Sequence, residues 1–203
     1  MYSQNHFFRP LTLSLLFLIT SISVFAQGPQ QQSDANYEAI LHVLVDSGQT
    51  GESLPRSLDA VSRQVKDEFG TSKLRLINTY LGRMSNQGRF DYKGISNAYS
   101  SDQQPAPPSF LEWNLSDLKP AKGDGGQDIY QFQFFRFGAR VPIRGAVPAQ
   151  EEKTPVVFNY ENLGLTVSRL NVRDNSPTLI GTLTQPKTEA TLFLVLTVRN
   201  VDK

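Results

Sequence analysis

Cysteine is absent from this 203-residue chain, and histidine occurs only twice. Without a thiol there are no disulfides, no thiol nucleophile, no cysteine-held iron-sulfur cluster and no thiolate zinc site. His6 lies among the first 26 residues, so a Ser-His-Asp arrangement or a histidine metal site elsewhere would have to use His42 alone. His42 sits in Ile40-Leu41-His42-Val43-Leu44-Val45, a strand-like composition, and no Gly-x-Ser-x-Gly motif accompanies it. It reads as a structural strand residue. No catalytic residue, metal or cofactor is expected.

A charge excess is also missing. Of 20 Lys and Arg side chains only Arg9 falls within residues 1–26, and none of the 19 acidic ones does, so the rest of the chain is neutral. With no arginine-rich block and no aromatic ladder among lysines, the electrostatic footprint of nucleic-acid binding is absent. No polybasic or amphipathic segment suits a membrane surface. The partners left are other proteins or the wall.

One long apolar run is present. Arg9 precedes Leu11 to Val24, and Val24-Phe25-Ala26 puts small or apolar residues where a signal peptidase reads. Leu11 to Ala26 is 16 residues, short of the roughly 20 that cross a hydrocarbon core as a helix. Residues 1–26 are therefore expected to be a cleaved export signal. The remainder is expected to be periplasmic or extracellular, with no membrane span after cleavage. No cysteine follows the run, which excludes a lipid anchor.

Gln27 to Asn36 is glutamine-rich and reads as a flexible polar leader. Tyr37 to Asp46 is apolar in both phases of the two-residue period, as in a strand buried on both faces. Gly48 and Gly51 mark a turn. Leu54, Leu58, Val61, Val65 and Phe69 then fall at helical spacings with charges between them, predicting a helix over 54–69. Ser53 can cap it, Pro55 fits the first turn and Gly70 can close it. Leu74 to Met84 follows as a strand. If it lies parallel to the first, the crossover is right-handed.

From Arg89 the pattern is of strands alone. Arg89 to Ile95 is a short one, and Asn97 to Ser109, with Pro105, Pro107 and Pro108, is a loop. Phe110 to Leu115 carries the only tryptophan, Trp113, and Pro120 to Gln127 reads as a mobile glycine-rich loop. Tyr130, Phe132, Phe134, Phe135 and Phe137 crowd into Ile129 to Phe137. Alternation puts Tyr130, Phe132 and Phe134 on one face and Gln131 and Gln133 on the other, the pattern of core packing. The alternative is a small-ligand or glycan platform with Trp113, Tyr130 and Phe135 as its binding residues.

Other polar groups are less specific. Asp124-Gly125-Gly126-Gln127-Asp128 lacks the ligand spacing of a calcium loop and reads as a solvated turn. Glu151-Glu152-Lys153 reads as an exposed loop, and Asn114-Leu115-Ser116 matches a glycosylation triplet. Arg136 and Arg140 have no phosphate-cradling motif nearby. Glu112 and Asp117 are the carboxylates an enzyme would use, but their spacing demands no chemistry.

The C-terminal third predicts strands at Val156 to Tyr160, Leu165 to Val172, Thr178 to Leu183 and Thr191 to Val201, with turns at Asp174-Asn175-Ser176-Pro177 and Gln185-Pro186-Lys187. Apolar residues shift from odd positions, Leu165 and Val167, to even ones, Leu170 and Val172, which predicts a bulge near Ser168 and Arg169. The last strand is apolar on both faces and belongs in mid-sheet or against a partner.

The segments running from Leu170-Asn171-Val172-Arg173 through Leu179-Ile180-Gly181-Thr182-Leu183, and from Leu192 to Val201, resemble strands of bacterial outer-membrane secretins. They are similar also to the ending of small exported, uncharacterised bacterial proteins. Secretins carry two glycines where this chain has Gly181-Thr182, and proline where it has Val198. Their gate-forming segment is here a hairpin. The resemblance thus implies a periplasmic accessory or assembly role, not a pore.

The expected fold class is α+β, a strand-helix-strand portion at 37–96 joined by the loop 97–109 to a mostly antiparallel β-sheet or sandwich at 110–203, or one domain with both. The expected function is non-enzymatic: contact with a protein partner in the cell envelope, through edge-strand pairing.

Overall fold

The computed structural model describes residues 35–46, 54–71, 73–96, 107–145, 157–185 and 190–202. Nine strands are found there: β1 (Asn36–Asp46), β2 (Leu74–Ser85), β3 (Arg89–Ser96), β4 (Ser109–Ser116), β5 (Lys119–Lys122), β6 (Asp128–Arg144), β7 (Phe158–Arg173), β8 (Thr178–Thr184) and β9 (Thr191–Asn200). One α-helix, α1 (Asp59–Phe69), lies between β1 and β2 in sequence. The expected export signal at 1–26, Gly48, Gly51, Ser53, most of the expected loop at 97–109, Glu151-Glu152-Lys153 and Pro186-Lys187 lie outside the described residues.

The fold is mostly antiparallel β. The first sheet runs β2-β1-β9-β8, and the second runs β3-β4-β6 with β7 on the far edge of β6. The short β5 pairs with the start of β6, on the edge that β4 occupies further along, because β7 takes the other edge throughout. Both sheets belong to one compact unit, Ala35–Lys203.

β9 lies between β1 and β8, as its two apolar faces require. Leu192, Leu194, Leu196 and Val198 join a cluster that also takes Leu41 and Val43 from β1 and Trp113, Phe135 and Phe137 from the second sheet. Phe193 and Val195 point the other way, onto Leu58, Val61 and Val65 of the helical segment. Each such fully buried side chain contributes about 1.5–3 kcal/mol of transfer free energy.

The helical segment opens with a 3-10 turn over Arg56–Leu58, where the amide of Leu58 donates to the Pro55 carbonyl at 2.8 Å. No side chain caps α1. Gly70 closes it at φ 71°, its amide donating to the Lys66 carbonyl. β1 and β2 are neighbours but antiparallel, Asp46 facing Leu74. The chain therefore leaves and re-enters the sheet at one end, with α1 over that end, and the parallel right-handed crossover does not arise.

Three further expectations are corrected. Pro120 to Gln127 is not a loop: β5 occupies its start and a 3-10 turn Asp124–Gly126 follows, closed by the Lys122–Asp128 ion pair at 2.5 Å. The strands expected at Val156 to Tyr160 and Leu165 to Val172 are one strand, β7, because β6 is long enough to pair with it from Arg144 to Ile129. Phe134 is 42 % exposed, while Phe135 and Phe137 point inward with Phe132. The inward face of β6 changes phase between Phe132 and Phe135.

β7 changes phase at the same level, from Val167 to Leu170, with Arg169 at φ 56°. The expected irregularity is there, yet no residue is inserted: Phe132 faces Leu170, Phe134 faces Ser168, and the register is unchanged on either side. Beyond it, Asp174 joins the two sheets. Its amide donates to the Asp128 carbonyl, and its carboxylate accepts from the Tyr130 hydroxyl at 2.8 Å and the Asn200 amide at 3.4 Å. Burial, and then that carboxylate, push the Tyr130 phenol well above its ordinary pKa.

Candidate functional site

The residues that sequence reasoning offered for ligand stacking are interior. Trp113 is 1 % exposed, Tyr130 2 % and Phe135 0 %, and all three belong to the cluster shared by the two sheets. None presents an open ring face. Among the described residues no group of three or more His, Asp or Glu could hold a metal ion. Glu112 points outward from β4 beside Lys93, 3.9 Å away, and Asp117 lies five residues on, about 16 Å along an extended chain. His42 is half-buried, with Nδ1 2.9 Å from the Thr79 hydroxyl, and burial holds its pKa below 6.5.

The strand edges differ in how well they are protected. β2 carries Arg75 and Arg83, and β3 carries Arg89, Asp91 and Lys93. Charges of this kind discourage pairing with another chain. β8 is short and bulged between Leu179 and Gly181. β7 has neither defence over Asn162 to Ser168, seven residues without charge or proline and in continuous register with β6. No described strand pairs with its outer edge.

This edge is two-faced. Leu163, Leu165 and Val167 are only partly buried, packed against the core at the margin where the sheet stops. Asn162, Gly164, Thr166 and Ser168 alternate with them and point outward. A strand added here would continue the ladder and cover the half-exposed apolar residues.

The outward face beside the edge is concave. A groove of about 740 Å³ crosses it, lined among others by Phe110, Glu112, Arg136, Gly138, Arg140 and Gly164. Its floor is the facing pair Gly138 and Gly164, with Glu112 opposite Gly138 on the other side. A Cβ on Gly138 would lie 3.2 Å from Glu112 Cγ, so this floor is closely built. Arg136 and Arg140 stand on either side of Gly138. The Arg140 guanidinium lies 4.7 Å from the centre of the Phe110 ring, which also tilts against Tyr160 at 5.6 Å. Neither arginine forms an ion pair with a described residue.

No protein-family model and no curated protein matches the sequence. The sequence missed this site because residues 161–164 fell between two expected strands, and because two arginines four residues apart have no motif to mark them. The available signal was the phase they share with Gly138.

Proposed function

We propose that the chain is an exported, non-enzymatic protein of the periplasm or cell envelope, and that it acts by receiving a strand of a protein partner along β7. In this reading the two sheets form a sandwich whose shared core ends at β7. The observation that carries it is the uncharged, regularly paired edge Asn162 to Ser168 with Leu163, Leu165 and Val167 half-covered. Strand addition draws affinity from the main chain and specificity from alternate side chains. The likeness of the Leu170 to Leu183 and Leu192 to Val201 segments to secretin strands favours an accessory role beside a secretin-like assembly.

The test is site-specific photo-cross-linking in cells that export the full chain. A photo-reactive residue at Thr166 should give a discrete adduct, lost when Leu163→Lys and Val167→Lys put charges on the inner side of the edge. Equal yield from a probe at Lys93 on β3, or an adduct indifferent to the two lysines in a variant of unchanged circular dichroism, would overturn the proposal.

A further inference from the structure

We infer that the strand received by β7 is acidic, with carboxylates at positions i and i+4 on its outward face, held by Arg136 and Arg140 across β7. This rests on the strand-addition reading above and specifies its partner. Arg136 faces Thr166 and Arg140 faces Asn162, so both arginines share one face of β6. Their separation of four residues is about 13 Å along the strand, the repeat of every fourth residue in an extended partner.

What lies between those guanidiniums and the free edge is small. Thr166, Gly164 and Asn162 are the outward residues of β7 at this level, and none can block a long side chain lying over them. A strand added to β7 would run about 10 Å from β6, two interstrand spacings. An arginine from one side and a glutamate from the other together span that distance. On the opposite side of β6 the residues facing Arg136 and Arg140 are Asn114 and Phe110, neither of which is a carboxylate. The nearby Glu112 pairs with Lys93 instead.

An acidic glycan is the less favoured occupant. The Phe110 ring already carries the Arg140 guanidinium and abuts Tyr160, and Phe137, the other aromatic residue lining the groove, is 1 % exposed, so the ring surface left for a sugar to stack on is small. The edge of β7 offers main-chain pairing that a peptide can use and a glycan cannot.

Fluorescence anisotropy of the full chain with labelled nine-residue peptides tests this. TVEVTVEVT places both glutamates outward and its valines beside Leu163, Leu165 and Val167, TVQVTVQVT is its neutral counterpart, and TVEVEVTVT keeps the composition and the outward face but sets the glutamates two residues apart. The acidic peptide should bind about tenfold more tightly than either control, the advantage of two partly exposed ion pairs. That advantage should vanish at high salt and in the Arg136→Gln/Arg140→Gln variant, leaving the weak binding of the neutral peptide. If the neutral peptide binds as tightly as the acidic one, the acidic specificity is refuted while strand addition stands. If no peptide binds, or the acidic one still binds after Leu163→Lys and Val167→Lys, strand addition itself is refuted and the inference falls with it.

Discussion

An Arg-Glu-Arg row crosses three strands of the first sheet, and it separates the cost of a buried charge from the cost of an exposed one. Glu38 on β1 faces Arg83 on β2 and Arg199 on β9. Glu38 is 3 % exposed, whereas Arg83 and Arg199 are 71 % and 49 % exposed. Arg199 donates from Nε to Glu38 Oε1 at 2.8 Å and from Nη2 to the same oxygen; Arg83 Nη2 stands 3.5 Å from Oε2.

The two ends of the pair are therefore unequal. Arg199→Ala leaves a buried carboxylate with one long contact. Stranding such a charge costs about 3–5 kcal/mol when nothing compensates, and Arg83 with partial solvent access brings that to about 2–3 kcal/mol. Glu38→Gln keeps the shape and releases two arginines already in water, a loss of about 0.5–1.5 kcal/mol. With a urea m-value of about 2 kcal/mol/M, the midpoint falls by about 1–1.5 M for Arg199→Ala and by well under 1 M for Glu38→Gln. In the double variant the loss should be smaller than for Arg199→Ala alone, with a coupling of about 1 kcal/mol or more. If Glu38→Gln costs as much as Arg199→Ala, or if 1 M salt erases the difference, the row is a surface ion pair and the reasoning fails.

Two smaller predictions follow from His42 and Arg169. Burial holds the folded-state pKa of His42 below its unfolded value of 6.5, so the unfolded chain takes the proton first, and its stabilising contribution is full above that value and declines as pH falls through it; His42→Gln should lessen the drop in urea midpoint between about pH 7.5 and pH 5.5 relative to the parent, and an unchanged drop would refute this. Arg169 stands at φ 56° within β7, so Arg169→Gly should leave the melting temperature unchanged or raised, while Arg169→Val should lose about 1–2 kcal/mol. Equal losses for the two would show that the backbone there relaxes.

Which residues face inward was largely legible in the sequence; which strands pair was not. The two apolar faces of β9 announced a central strand, and Gly70 announced the helix end, because both are local properties. Nothing local says that Tyr37 faces Asn200 or that β1 lies between β2 and β9. Glycines made Pro120 to Gln127 read as a loop, yet β5 occupies its start at a sheet margin, where the amide that Pro120 lacks does little harm. Gly164 fell in the gap between two expected strands, yet it faces Gly138 in the middle of a long ladder. In both cases tertiary pairing overrode a residue preference that is real but small.

The aromatic strand failed for a more instructive reason, and the failure bears on the binding edge. A constant two-residue period carried from Tyr130 puts Phe134 inside, and the same period carried along β7 from Leu165 puts Arg169 inside. Either strand alone would need an extra residue to escape this, which would shift the register and turn its later side chains to the wrong face. Both strands change phase at one level, so the pairing is kept with only a local break beside Gln133 and Arg169. The sequence does contain the signal, in Phe134-Phe135 on one strand and Ser168-Arg169 on the other, but it can be read only when the two strands are known to be partners. Because the irregularity falls after Ser168, the edge from Asn162 to Ser168 stays regular, and Arg136, Gly138 and Arg140 keep one phase beside it. The kink that hides this site from a sequence reading is thus also what leaves its groove and its free edge aligned.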